Sequence, residues 1–169
     1  MRRIFYTDGS CSGNPGPGGF GVVELSVCYR QTMLEYIPSY SMNYAYNEQC
    51  ENTTNNREEM KAVIHVLEMA ANDSENEYII YSDSAYVVNM CNDWIWKWAK
   101  NNWKNSKKKD VENIDLVKQI YNYLSRDFFN AEIKKVKGHD GMLGNELADA
   151  YATNNMSKKD KLIKDFSIL

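Results

Sequence analysis

The sequence lacks the marks of several protein classes. No run of apolar residues approaches the roughly 18 needed to cross a bilayer, so no membrane partner is expected. The four cysteines, Cys11, Cys28, Cys50 and Cys91, form no C-x-x-C pair, which removes a zinc or dithiol redox signature. Reduced thiols in an intracellular protein are the expectation. Met1, Arg2 and Arg3 lead straight into a strand-like run, so neither a signal nor a transit peptide is expected, and the protein reads as cytoplasmic. Excess positive charge is also missing. A net charge of −3 argues mildly against a polyanionic partner until the distribution of charge is considered.

Glycine and proline are sparse and concentrated. Six of the nine glycines (Gly9, Gly13, Gly16, Gly18, Gly19, Gly21) and two of the three prolines (Pro15, Pro17) fall in YTDGSCSGNPGPGGFG. Asp8 enters this stretch directly after the apolar run Ile4, Phe5, Tyr6. An acid at a strand exit beside an open backbone suits a cation with a polyanion above it. A tight turn with one solvated Asp fits the stretch equally well, and the other acids of the chain must decide. The 169 residues suit one domain over residues 1–155 with a charged tail over 156–169, since domains run about 100–200 residues.

Strands are expected at residues 4–8, 20–27 and 33–46, the last with Pro38 at an edge or bulge. The polar segment 50–57 caps a helix over 57–71, with Asn55 or Asn56 accepting its first N–H groups. Met60, Ile64, Leu67 and Ala71 recur at helical spacing as its buried face. At about 100° per residue, Glu59 lies in line with Val63 and Val66 and looks toward the sheet, while Glu58, Lys61, His65 and Glu68 point away. A strand over 77–82 ends at Asp83, at the C-terminal end of a central strand where α/β proteins place chemistry. The lesser alternative is that Asp83 or Ser84 serves only as a cap for the helix over 85–91. Residues 94–109 hold six lysines, no acid and all four tryptophans. They read as a shelf that stacks on sugars and attracts phosphates, in preference to core tryptophans under a solvated face. An amphipathic helix over 111–124, a strand over 131–136, a loop over 137–141 and a helix over 143–153 complete the chain. Asp149, mid-helix and of poor helix propensity, is by itself more often a solvated residue than a ligand.

The order β-β-β-α-β-α-α-β-α gives an α/β fold, a five-stranded mixed sheet with helices on both faces. Asp8 and Asp83 then lie on paired strands, with Glu59 and Asp149 on helices nearby. Four unpaired carboxylates at one edge would repel and rise in pKa, an arrangement best explained by Mg²⁺ or Mn²⁺.

The stretches TDGSCSGNPGPGGFG, TTNNREEM, YSDSAYV, WIWKWAKNNWK, VKGHDG and NELADAYA, in this order, resemble a type 1 ribonuclease H across residues 4–152. The resemblance implies a ribonuclease H-like fold and an endonuclease that hydrolyses the RNA strand of RNA–DNA hybrids. It implies two Mg²⁺ ions, with Mn²⁺ as a possible substitute, on Asp8, Glu59, Asp83 and Asp149, and products with 5′-phosphate and 3′-hydroxyl ends. His139 matches a mobile-loop histidine that helps proton transfer and product release. Gly9, Ser10, Cys11, Asn14, Asn55 and Asn56 match residues facing the RNA sugars in the minor groove. Thr54 and Asn113 match a pocket for a DNA phosphate, and Trp94, Trp98, Trp103 and Lys104 fall in the protrusion that holds the DNA strand. A monomer is expected. Three departures stand out: Ala85 replaces a polar groove-reading residue, Asn52 lies where some members carry an arginine, and the segment 26–52 is longer than is common.

Overall fold

The structure, a computed structural model, describes every residue except Lys137, with the side chains of residues 138–141 also outside the description. Five strands form one sheet: β1 (Arg2–Cys11), β2 (Gly16–Gln31), β3 (Tyr36–Thr53), β4 (Glu77–Ser82) and β5 (Ala131–Lys135), in the order β3-β2-β1-β4-β5. β1, β2 and β3 are antiparallel neighbours, while β4 runs parallel to both β1 and β5. Alternation along the strands gives each face its own core. Phe5 and Val22 point to one side and Tyr6 and Val23 to the other, and all four are buried.

The first face is covered by α1 (Asn55–Ala71), α2 (Ala85–Asn89), a π-helical turn (Met90–Trp94), α3 (Ile95–Lys100) and α4 (Ile114–Leu124). The second is covered by α5 (Gly138–Ala152) and α6 (Met156–Asp165). This is the expected mixed sheet with helices on both faces.

The boundaries differ from expectation in informative ways. β2 and β3 are far longer than expected, pairing from Gly16↔Thr53 to Gln31↔Tyr36, whereas β1 spans only Gly18 to Glu24 of β2. A register shift between Glu24 and Leu25 marks where a two-stranded arm leaves the sheet. This arm, residues 25–31 and 36–42, takes up much of the long segment 26–52 and points away from the end of β1 that carries Asp8. Pro38 lies on the edge strand, where a missing N–H is tolerated. The tail is a helix followed by a docked end: Leu169 bonds the backbone of Tyr40 and Met42, and Ile168 is buried beside Tyr40 and Leu25.

On α1 the buried face is Met60, Ala62, Val63, Val66, Leu67 and Ala70, offset from the expected stripe, with Ile64 only half-buried. The cap is Thr54, not Asn55 or Asn56: its hydroxyl accepts the Arg57 N–H, because β3 runs on to Thr53 and starts the helix earlier. Glu58, expected on the solvent side, is fully buried. Its Oε2 accepts from the Thr53 hydroxyl (2.9 Å) and from Lys61 (2.7 Å). His65, expected to be solvated, is half-buried, stacked on Tyr46 at 4.2 Å and hydrogen-bonded to the Tyr44 hydroxyl at 2.7 Å.

Glu58 supports a stability prediction. Lys61→Met removes the cation that sits on this buried carboxylate and is expected to cost about 3 kcal/mol. Adding Glu58→Met should restore most of that, as read by denaturant unfolding of the two variants. If the double variant is no more stable than the single one, Lys61 matters for packing and not for charge.

Candidate active site

The sheet itself brings two acids together. β1 and β4 run parallel with Thr7 opposite Ser82, so the residues that follow stand side by side, Asp8 still within β1 and Asp83 just past the end of β4. The start of α1 lies directly against this edge. A Cβ on Gly9 would stand 2.3 Å from the Glu59 backbone nitrogen, so only glycine permits this approach. The Gly9 backbone N–H lies near the Glu59 carboxylate and favours its charged form. Asp8, Glu59 and Asp83 each place an oxygen within 4.8 Å of the others. Asp149, on α5, is not among the acids whose oxygens meet within 4.8 Å, but it lies near enough to Asp8 to help raise its pKa.

The electrostatics follow from this crowding. Burial, then the charges of Glu59 and Asp83, push Asp8 far above the ordinary carboxylate range. Burial also pushes Glu59 up, opposed by the hydrogen bonds from Asp8 and Gly9 and by the nearby Lys135 ammonium. Lys135 donates to the backbone carbonyl of Asp83, and the Asn145 amide donates to the Asp83 carboxylate at 3.3 Å.

The donor set fits hard divalent cations. It is made of carboxylate oxygens, with no sulfur ligand in the cluster among the described residues. Glu59 Oε2 is buried and has no hydrogen-bond partner among the described residues, a costly state for an oxygen unless a cation meets it.

The molecule also carries two clefts lined by residues the sequence singled out. Asn14, Thr54, Asn55, Asn56, Glu112 and Asn113 line one of about 500 Å³, in which Asn14 Oδ1 accepts the Asn55 N–H at 2.8 Å. Arg57, at its rim, donates to Asn113 (3.2 Å) and to both oxygens of Asp115 (3.0 and 2.8 Å). The other, about 460 Å³, is lined by Trp94, Lys97, Trp98, Asn101, Lys104 and Asn105. Trp94 and Trp98 are half-buried, with ring centroids 6.0 Å apart. Trp103 packs edge-on against Tyr121 at 5.2 Å, and Lys104 pairs with Asp110. On β1, the Ser10 hydroxyl donates to Ala152 (3.3 Å) and the Cys11 thiol to Thr53 (3.2 Å). The side chain of His139 lies outside the described residues; its backbone is in α5, which starts at Gly138 in place of the expected loop.

Sequence reasoning missed Lys135 and Lys158 as neighbours of the acids, since neither contact is local in sequence. Asn145 had a signal: it precedes Asp149 by four residues and so shares its helix face.

A mixed sheet with three clustered acids and a fourth close by, on a molecule that also carries a polar cleft and an aromatic, lysine-lined groove, defines a hydrolase that handles a phosphate polymer. The RNase H family model matches residues 1–157, and the chain belongs to that family. It is similar to a protein named Ribonuclease H from Syntrophomonas wolfei, at 42% identity over 89% of this chain and 93% of that one. It is similar also to one of the same name from Caldicellulosiruptor saccharolyticus, at 39% identity over 88% and 92%. Among solved structures, a foamy viral protease–reverse transcriptase in complex with an RNA/DNA hybrid shares the fold, with a TM-score of 0.74 and 24% identity. That match covers 90% of this chain and 19% of the viral one.

Proposed function

We propose that this ribonuclease H cuts the RNA strand of RNA–DNA hybrids internally, with two Mg²⁺ ions held by Asp8, Glu59, Asp83 and Asp149 and with Mn²⁺ able to replace them. The observation that carries the proposal is the convergence of Asp8, Glu59 and Asp83 within 4.8 Å around an unpartnered buried oxygen. When bound, the cations lower the barrier to attack of water on a phosphodiester and neutralise charge growing on the leaving 3′ oxygen, giving 5′-phosphate and 3′-hydroxyl ends.

The chain's own residues prepare that event. Asp8 holds a proton in the metal-free protein and releases it on loading. Asn145 and Lys135 hold Asp83 in place, and Gly9 lets the backbone of Glu59 approach β1. Asn14, Asn55 and Asn56, with the backbone of Gly9, Ser10 and Cys11, face the RNA sugars, where a 2′-hydroxyl offers both donor and acceptor. Thr54 and Asn113 receive a DNA phosphate, and Trp94 and Trp98 lie against DNA sugars. His139 assists proton transfer and is helpful rather than indispensable. The protein acts as a monomer inside the cell.

Asp83→Asn tests this directly. It removes a ligand at the exposed mouth of the cluster without opening the core, so cleavage should fall to background while hybrid affinity, measured by filter binding, stays within about threefold. Retained cleavage would remove Asp83 from the chemistry.

The basic groove gives a second test. Lys100, Lys107 and Lys108 have no ion pair among the described residues. Changing all three to Gln should raise the Michaelis constant more than it lowers turnover. The slope of log affinity against log salt should become shallower by up to about 0.9 for each phosphate that is no longer neutralised. An unchanged slope would make these lysines a solvated face only.

A further inference from the structure

The C-terminal helix brings a cation to the acid cluster that the catalytic reading leaves without a role. Lys158 Nζ lies 2.7 Å from Asp149 Oδ2 and 2.7 Å from Glu146 Oε2. Its place in α6 is unfavourable for the helix alone. It is the third residue after the cap Asn155, in a first turn that contains no acid, where the positive end of the helix dipole disfavours a lysine. The position is nonetheless fixed. The Asn155 side chain accepts the Lys158 N–H at 3.1 Å, and Leu162, Ile163 and Ile168 pack α6 into the core shared with α5 and β3. Its partner Asp149 is the fourth acid of the proposed metal site. One acid of the cluster therefore already has an ammonium on it, while Glu59 has an oxygen with no partner among the described residues.

We propose that Lys158 is a positioning residue that sets cation affinity on the Asp149 side of the site: its ammonium shares the Asp149 carboxylate and weakens the hold on the divalent cation that needs it. The proposal rests on the reading of the four acids as a metal site. A fixed positive charge a few ångströms from a bound divalent ion is repulsive. Even with water-like screening, its removal is worth about tenfold in affinity. The cluster would then bind one cation firmly and the other loosely, with α6 setting the difference.

The test is calorimetric titration of Mg²⁺, and separately Mn²⁺, into the full, substrate-free chain and into Lys158→Gln, Lys158→Arg and Asp149→Asn. Lys158→Gln is expected to tighten the weaker cation by about five- to tenfold. Lys158→Arg, which keeps the charge, should stay within about twofold of the unchanged chain, and Asp149→Asn should weaken binding. Thermal melting of each variant shows that it is folded. An unchanged or weaker affinity in Lys158→Gln, with the unchanged chain still binding, overturns the proposal. A shift in melting alone does the same, since it leaves Lys158 a structural ion pair. No binding by the unchanged chain would instead overturn the metal reading and this proposal with it.

Discussion

Asp8→Asn is expected to lower cleavage by about 10³-fold or more, the scale of losing a preorganised charge-stabilising group, and at the same time to raise the stability of the metal-free protein. The two effects share one cause. Asp8 is buried beside Glu59 and Asp83, and its pKa in the folded protein lies well above the unfolded value near 3.8. The folded state therefore favours the protonated form. Stability from this group is fully present below about pH 4 and is lost as pH rises toward the folded-state value. At neutral pH the unfolded chain leaves Asp8 ionised, whereas the metal-free folded protein must take up a proton to bury it. Asn has nearly the same shape and no charge, so about 2 kcal/mol should return, seen as a rise of several degrees in melting temperature at pH 8. The gain should shrink toward pH 4, where Asp8 is neutral in the folded state and half-neutral in the unfolded one. A variant that loses both activity and stability would show that Asp8 is held by hydrogen bonds its amide cannot reproduce.

Mg²⁺ should stabilise the protein, and do so more at high pH. Binding only to the folded state adds about 2.7 kcal/mol at a hundredfold excess over the dissociation constant. At pH 8 Glu59, with its pKa pushed up to about 7, is mostly ionised, and the cation has only the Asp8 proton to displace. At pH 5.5 it must displace the protons that burial places on Asp8 and Glu59, so apparent affinity falls. The Mg²⁺-induced rise in melting temperature should be several degrees at pH 8 and less than half that at pH 5.5. Asp8→Asn should flatten this dependence. Equal shifts at both pH values would place the bound ion away from the acid cluster.

How much of the molecule is legible in the sequence depends on whether the deciding contact is local. β4 shows its exact bounds as an apolar run ending at an acid, and Glu59 is placed by counting 100° steps from Val63 and Val66. The arm of β2 and β3 outruns the expected strands because residues 28–31 and 36–39 are mostly exposed on both faces, so no period-2 burial pattern exists to be seen. Glu58 falls on the opposite side from expectation because its burial is set by Thr53 and Lys61, which no helical wheel weighs. The start of α5 is hidden by Gly138 and Gly141, which read as a loop. Lys135 and Lys158 reach the acids only through the packing of β5 and α6, so nothing near them in sequence announces it.

The most direct measurement is cleavage of an end-labelled RNA strand annealed to DNA, with Mg²⁺ and with chelator, beside RNA alone, RNA duplex and DNA duplex. Internal cuts in the hybrid alone, only with the cation and ending in 3′-hydroxyls, are the expected result. Equal cutting of the DNA duplex, or cutting that survives the chelator, would contradict a cation-dependent enzyme that recognises RNA by its 2′-hydroxyls.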